Sequence, residues 1–308
     1  MKVLVIGGCG FIGSHVVDNL LKSGHTVRVL DRMPERFRGA LPQVEYVMGD
    51  LSDSAQTYEA INGMDGVIHL ASATVPATSN LDPEADIRKN LIATVRLLEA
   101  MRMAGVRQLI YLSSGGTVYG VPRTDPVAEQ HPLNPISSYG IVKVAIEKYL
   151  YMEHRMHGLR HVILRASNPY GPRQGHTGVQ GIIGTYLWRL SRGETIEVWG
   201  DGSVVRDFIH VRDMAALCVK ALESDTCGCF NAGSGEGASV LDIVRCISQA
   251  VGRDIQPVFK PGRAFDVPRV VLDISKARQN FNWAPQIALR DGVADAWNWV
   301  QAQQLVTA

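Results

Sequence analysis

The sequence predicts an α/β fold: a doubly wound parallel sheet with a smaller α/β domain after it. Three observations predict this. An apolar strand breaks into spaced glycines at the N-terminus, β-rich runs alternate with helical periodicity through the first half, and Gly- and Pro-rich loops take over near residue 165. Alternation on this scale implies parallel strands joined by helices on both faces. The predicted boundaries are 1–165 for the first domain, which the chain rejoins at about 205–232, and 166–204 with 233–308 for the smaller one.

Val3–Ile6 is the first strand, and Gly7, Gly8, Gly10 and Gly13 follow it at a helix start. Gly7 permits a tight turn, Gly10 lets the backbone approach a pyrophosphate, and Gly13 lets the helix lie close on the sheet. With Phe11 and Ile12 between them, these residues form a dinucleotide cradle at a helix N-terminus, whose unpaired amides favour negative charge. The helix is amphipathic through Val16, Val17, Leu20 and Leu21. A second strand, Thr26–Leu30, ends in Asp31 and completes a Rossmann-type βαβ unit. A carboxylate there accepts from ribose hydroxyls and repels a 2′-phosphate, which favours NAD; Arg32, next in the chain, is the residue that would accommodate NADP.

Further strands are predicted at Val44–Val47, Val67–Leu70, Gln108–Leu112 and His161–Leu164, with helices at Ser54–Ile61, Asp82–Ala104 and Ser138–His157. Asp82-Pro83 reads as a cap with proline in the first turn. Beyond residue 165 come helix Ile182–Ser191, strand Thr195–Val198, a run at Cys229–Asn231 that can return to the main sheet, and helices Val240–Val251 and Leu289–Gln303.

Composition excludes several function classes. At 46% hydrophobic and 20% charged, the 308 residues can build a full core, and a net charge of +1 without a basic cluster argues against nucleic acid. No apolar run approaches the ~18 residues of a membrane span, and the apolar N-terminus is the first strand, so a cytoplasmic protein is expected. The five cysteines are odd in number and scattered, with Cys227 and Cys229 the only close pair. The nine histidines show no ligand spacing, so neither a disulfide framework nor a metal is expected.

Tyr139-Gly140-Ile141-Val142-Lys143 puts a phenol and an ammonium one helical turn apart. A free tyrosine near pKa ~10 is a poor base at neutral pH; an adjacent cation lowers it, and moving it by roughly three units takes about 4 kcal/mol. Such a phenolate can remove a hydroxyl proton while hydride leaves the same carbon. Upstream, Tyr111-Leu112-Ser113-Ser114-Gly115-Gly116-Thr117-Val118-Tyr119-Gly120 lies where a parallel strand reaches its carboxyl edge, the ligand side of α/β sheets.

With the glycine turn, Asp31, this segment and the Tyr–Lys pair in order, the chain resembles the extended short-chain dehydrogenase/reductases of the NAD-dependent epimerase/dehydratase family. Its further matches fall in the UDP-sugar 4-epimerase branch: Gly49-Asp50-Leu51, His69-Leu70-Ala71, Asn90, Leu164-Arg165, Asn168 to Arg173, Gly200-Asp201-Gly202, Arg206-Asp207-Phe208, Arg263 with Asp266, and Trp283-Ala284-Pro285. The resemblance implies that Asp50 and Leu51 flank the adenine, that Leu70, Ala71 and Ser72 line the cofactor, and that Asn90 sits behind the nicotinamide half. Ser113, Tyr139 and Lys143 would also meet NAD. Asn168, Val198, Arg206, Arg263, Asp266 and Thr117 would meet a UDP-sugar. Arg206-Asp207 also reads as a local ion pair. A homodimer through helices Asp82–Ala104 and Ser138–His157 is implied by resemblance alone.

One position departs from the family. Relatives place a catalytic Ser or Thr where this chain has Gly115. In an extended backbone, alternation puts Thr117 and Ser113 on Gly115's side and Ser114 opposite, so Thr117 is the first substitute and Ser113 the second; a turn in this segment would break the alternation and leave Ser114 as a third. Dehydratases of the family need an Asp-Glu pair at the positions of Gly116 and Thr117, which disfavours elimination. What remains is inversion at C4 of a UDP-hexose through a transient 4-keto sugar on bound NAD. The alternatives are reduction of a 4-keto sugar and a non-catalytic NAD(P)-binding regulator. Val270 leaves room for an N-acetyl group, while Arg269, Arg173 or His176 would be the residues to meet a uronic carboxylate; Phe265 stands where relatives have glycine.

Overall fold

The computed structural model describes residues 1–175, 181–262 and 267–307, with side chains to residue 304. The large sheet has seven parallel strands: β1 (Lys2–Ile6), β2 (Thr26–Asp31), β3 (Val44–Met48), β4 (Gly66–His69), β5 (Gln108–Ser114), β6 (Arg160–Ala166) and β10 (Gly228–Ala232). Their order is β10-β6-β5-β4-β1-β2-β3. The chain winds outward from β1 to β3, then returns to β4 on the other side of β1. The crevice at the carboxyl ends of β1 and β4 is therefore the topological switch point, where open α/β sheets bind ligands.

Period-two alternation decides which side chains meet which helices. Val3, Val5, Ile110 and Leu112 pack in a core with Val16, Val17 and Leu20 of α1 (Phe11–Lys22) and with α8 (Val211–Glu223). Leu4, Ile6, Leu109 and Tyr111 face the opposite core with Leu97 and Met101 of α5 (Ala93–Met103) and with Val142, Ile146 and Leu150 of α6 (Ser138–His157). Ala60 and Ile61 of α2 (Ser54–Ile61) join this second layer. Both faces being covered, the strands read as nearly continuous apolar runs rather than as alternating ones.

The smaller region holds β7 (Asn168–Tyr170), β9 (Val205–His210), β11 (Gly237–Ser239) and β13 (Arg269–Val270) in one sheet, and β8 (Glu197–Trp199) with β12 (Val258–Lys260) in another. Its core gathers Tyr186 and Leu187 of α7 (Ile182–Ser191), Ile243 and Ile247 of α9 (Val240–Val251) and Val293 and Trp297 of α11 (Leu289–Thr307) around Ile196 and Val198. Leu272, Ile274, Ala277, Phe281 and Trp283, around α10 (Ser275–Phe281), pack instead into the large-sheet core, and the Lys276 ammonium donates to the Cys229 carbonyl. The expected assignment of all of 233–308 to the smaller domain is corrected accordingly.

The predicted helix Asp82–Ala104 is interrupted. Short turns α3 (Pro76–Ser79) and α4 (Pro83–Asp86) lead into a π segment, Ile87–Ile92, before α5 begins. Asn90 lies in that segment, and Thr94 donates its hydroxyl to the Asn90 carbonyl at 2.7 Å, occupying an acceptor in the widened turn. Among the described residues, no helix is long and apolar enough to cross a membrane.

Candidate active site

The glycine turn is built by steric necessity. Gly7 has φ +85°, and a Cβ on it would stand 3.0 Å from the Ala71 nitrogen. A Cβ on Gly13 would overlap the Gly7 carbonyl oxygen, whereas on Gly10 it would meet that same oxygen alone, at 3.2 Å, leaving the outer side open. Phe11, Ile12 and Gly13 form the first turn of α1, which has no side-chain cap and no acidic residue there. Its amides therefore stay available to an anionic ligand. Beside it, Asp31 accepts from the Cys9 amide at 3.0 Å and the Met33 amide at 3.1 Å, one on each carboxylate oxygen. Arg32 is exposed and lies 3.8 Å from Asp50. The Ser52 amide holds the Asp50 carboxyl below its ordinary range. Leu70 and Ala71 both donate to the Ile6 carbonyl, which ties the ends of β1 and β4 together; half-buried Leu51 and the exposed Ser72, whose hydroxyl donates to Thr74, border this edge.

Across the crevice, Ser137 caps α6 by accepting from the Gly140 amide. Tyr139 and Lys143 stand one turn apart. The Lys143 ammonium donates to the Leu112 carbonyl at 2.8 Å and lies 4.7 Å from the Tyr111 ring centre and 5.5 Å from that of Tyr139. Burial pulls Lys143 down to about 8 against the opposing charges of Glu147 and Asp86. Burial first and Asp86 second push the Tyr139 phenol up to about 12. The expected lowering of that phenol is thus not a property of the chain itself: a lysine stacked near the ring does not outweigh burial.

Asp86 is fully buried behind this pair. One of its oxygens accepts from Thr74 and Asn90, both at 2.7 Å, and the other from the Ser138 hydroxyl at 2.7 Å. Asn90 turns its amide oxygen to the Ala73 nitrogen at 2.8 Å. One carboxylate thereby joins the π segment, the loop after β4 and the start of α6.

The serine run departs from the extended-strand expectation. β5 ends at Ser114, and the amides of Thr117 and Val118 both turn back to the Ser114 carbonyl. Ser113 donates to Glu147 at 2.6 Å; Glu147 pairs with Arg165 at 2.7 Å, and Arg165 donates to the Tyr119 hydroxyl and the Glu129 carbonyl, each at 3.0 Å. A Cβ on Gly115 would lie 2.6 Å from a Leu272 methyl and 2.9 Å from the Arg165 carbonyl, away from the face where Ser113 meets α6. Leu272 therefore fills the space a side chain would need. Thr117 keeps a buried hydroxyl oxygen with no hydrogen-bond partner. Its carbonyl would stand 3.0 Å from a Cβ on Gly140, so the turn is pressed against the start of α6.

On the other wall, Asn168 donates to the Asp207 carbonyl at 2.7 Å, and Arg206 to the carbonyls of Val205 and Val267 at 2.8 and 2.7 Å. Asp207 turns its carboxylate to the amides of Ser234 and Gly235 and to the Ser234 hydroxyl, which replaces the local ion-pair reading. Val198 is fully buried in the smaller core. Val270 is buried beside Arg206 in register. Arg269 pairs with Asp125 and Arg173 with Asp18 at 2.8 Å. Arg263, Phe265, Asp266 and His176 lie outside the described residues.

Sequence reasoning missed Asp86, Ser138 and the role of Glu147. Glu147 had a signal, since it stands four residues beyond Lys143 on the same helix face. Asp86 had none: it reads as an ordinary acid near a helix start.

A glycine turn with an acidic strand end on one wall, and a buried Tyr–Lys pair on the other, define a dinucleotide-dependent enzyme of oxidoreductase chemistry. A model of the NAD dependent epimerase/dehydratase family matches residues 3–233, and the chain belongs to that family. It is 39% identical over 302 residues to the UDP-glucose 4-epimerase of Mycolicibacterium smegmatis, covering 96% of each chain. Among solved structures it is similar to the UDP-glucose 4-epimerase of Thermotoga maritima with UDP-glucose (TM-score 0.93, 33% identity, 99% of this chain and 100% of that one). It is also similar to that of Thermus thermophilus with NAD (TM-score 0.90, 34% identity, 98% and 99%).

Proposed function

We propose that the protein is an NAD-dependent epimerase that inverts C4 of a UDP-hexose of the glucose/galactose type. The observation that carries this reading is the convergence, at one sheet edge, of the glycine turn and Asp31 with the Tyr139–Lys143 turn of α6. The residues present fit the cofactor. Gly10 leaves its outer side open, the first amides of α1 have no side-chain cap, and each Asp31 oxygen keeps a lone pair for a ribose hydroxyl. Bound NAD would supply a reversible hydride acceptor for the sugar carbon and a positive charge that would oppose the burial that raises the phenol.

In this reading the Tyr139 oxygen removes the proton of the C4 hydroxyl and later gives it back. Lys143, fixed on the Leu112 carbonyl, supplies a positive charge one turn away and a donor for the cofactor's ribose. Thr117, with its unpartnered hydroxyl, binds the same sugar oxygen; Ser113, whose hydroxyl is engaged by Glu147, acts on the position of β5. Arg206, Arg263 and Asp266 are proposed for the nucleotide-sugar. Arg269 and Arg173, each paired with an aspartate, are less suited to a uronic carboxylate than to their present partners.

The same reading includes a homodimer. On α6, Ile141, Tyr149, Met152 and Met156 are exposed, as is Met103 on α5, an apolar stripe of the kind that marks a protein interface. A reducing, cytoplasmic setting agrees with five free cysteines.

The test is to incubate the purified protein, without added cofactor, with UDP-glucose, UDP-N-acetylglucosamine and UDP-glucuronate. Interconversion of at least one with its C4 epimer is expected, without net change in absorbance from reduced nicotinamide. Turnover of a 4-keto sugar only with stoichiometric NAD(P)H would favour the reductase, and no turnover at all would overturn the reading.

A further inference from the structure

At the opposite edge of the large sheet, far along α6 from Tyr139, three side chains converge that the sugar chemistry does not use. His154 lies in the last turn of α6, His161 is the second residue of β6, and Cys227 directly precedes β10. Each offers one ligand atom, all within 4.8 Å of one another. The Cys227 sulfur lies 3.7 Å from Nδ1 of His154 and 3.6 Å from Nδ1 of His161.

We propose that Cys227, His154 and His161 form a binding site for a single Zn2+ ion, with the fourth position open to water. This goes beyond the epimerase reading and does not depend on it. A tetrahedral centre with Zn–N ~2.05 Å and Zn–S ~2.3 Å separates nitrogen from sulfur by about 3.6 Å. Both measured separations fall within about 0.1 Å of that. One thiolate with two imidazoles is a donor set that suits zinc rather than calcium or magnesium.

The backbone accounts for the convergence. Gly158, at φ +70°, ends α6 in a left-handed cap and reverses the chain within two residues, bringing His154 over the start of β6. β10 pairs with β6 in parallel, with Gly228 opposite Val162, so Cys227 arrives beside His161. His161 is buried on the sheet and Cys227 is exposed, giving one rigid ligand and one open to solvent. In the metal-free chain, Nδ1 of His154 lies 2.9 Å from the Leu159 carbonyl. Binding breaks that hydrogen bond: the ring proton of His154 moves from Nδ1 to Nε2, the Nδ1 lone pair goes to the ion, and the thiol proton of Cys227 is released to solvent. The ion would join the edge strand β10 to β6 and to α6.

His161 stands seven positions beyond His154, and Cys227 66 positions beyond His161, a spacing that matches no compact zinc motif. The expectation of no metal rested on that spacing.

The test uses the full chain, reduced and stripped of metal by chelation, titrated with Co2+ and then with Zn2+. The expected result is one Co2+ per chain, with tetrahedral ligand-field bands and a thiolate-to-cobalt charge-transfer band that Zn2+ abolishes. Zn2+ at a hundredfold excess over its Kd should raise Tm by about 4 °C. Cys227→Ser should lose the charge-transfer band, His154→Ala should weaken Co2+ binding at least ~10-fold, and Cys229→Ser should keep both. Absence of the band from the unaltered protein, or its persistence in Cys227→Ser, would overturn the proposal. Circular dichroism and Tm of each metal-free variant separate loss of the site from loss of the fold.

Discussion

Replacing Glu147 by leucine tests whether the buried polar network beneath the site is a structural necessity. Glu147 and Arg165 side chains are only 5% and 6% exposed, and their contact is two-pronged: Nη2 to Oε2 at 2.7 Å and Nε to Oε1 at 3.1 Å. In Glu147→Leu the guanidinium keeps the Tyr119 hydroxyl and the Glu129 carbonyl but loses its counter-ion, and Ser113 loses its acceptor. Breaking a buried pair on one side costs about 3–5 kcal/mol, and the orphaned hydroxyl falls within the same range rather than adding in full. Taking about 4 kcal/mol, and an unfolding entropy of ~2.1 cal/mol/K per residue over this chain length, Tm should fall by about 6 °C. The double variant Glu147→Leu with Arg165→Met removes both charges together and should recover most of the loss, because the desolvation penalty goes with them. Differential scanning calorimetry of Glu147→Leu, of Arg165→Met and of the double variant decides the matter. A single variant within about 1 °C of the parent, or a double variant as unstable as the sum of the singles, would refute the account.

Four further outcomes are expected. Tyr139→Phe should lower kcat for C4 inversion at least ~100-fold, the usual range for a general acid–base group, while leaving UDP-sugar affinity within a few-fold; steady-state kinetics and calorimetric titration measure the two separately. Thr117→Val should reduce kcat more than Ser113→Ala does, with Ser113→Ala showing its effect mainly in Tm. Acid stability should be governed by His15, His69 and His161, which burial lowers to about 4, about 3 and about 4. Between pH ~6.5 and ~4 the unfolded chain binds up to three protons on these side chains that the folded chain refuses, so stability is lost as pH falls, with these three contributing at most about 4 kcal/mol per pH unit; a urea midpoint equal at pH 7.5 and pH 5 would contradict this. In the proposed homodimer, Ile141→Asp should shift the mass in light scattering from dimer to monomer without unfolding the chain, since the side chain is 56% exposed in the single chain; a parent protein that is already monomeric would contradict the proposed dimer.

What could be read from the sequence was what local chemistry dictates. The glycine turn needs a positive φ at Gly7 and no side chain at Gly13, and these demands are visible as residue types. Helices with a strong cap or a left-handed stop were bounded as observed: α6 begins after Ser137 and ends at Gly158, and α9 runs from the Ser239 capping box to Gly252. The π segment at Ile87–Ile92 was not legible, because one widened turn barely disturbs helical periodicity. The strands of the smaller sheets are two to six residues long, too short for alternation to stand out, and β9 carries Arg206 and Asp207 among its apolar residues. Helix α8 was missed beside them. The alternation argument for Gly115 failed because it assumed extension beyond Ser114, where the backbone turns. The side-chain space at Gly115 is filled from Leu272, more than a hundred positions away, and no local pattern reports such a contact.

The pieces that could not be read locally share a purpose in holding α6. Three successive turns of that helix carry a buried polar anchor: Ser138 to Asp86, Lys143 to the Leu112 carbonyl, and Glu147 to Ser113 and Arg165. Tyr139 lies between the first two. Apolar packing alone, through Val142, Ile146 and Leu150, would resist separation of the helix from the sheet, but small slides or rotations would cost it little. Directional bonds of 2.6–2.8 Å at three heights oppose both motions. Buried ions are a poor source of stability compared with an apolar core of the same volume. Their use here is positional, because a displacement of about 1 Å at a reacting group can cost about 100-fold in rate. It follows that substitutions at Asp86 and Glu147 should differ in kind from cavity substitutions at Val142 or Ile146: at equal loss of Tm, the first pair should lose more kcat. Equal losses of kcat at matched Tm would show that the polar anchors merely hold the fold.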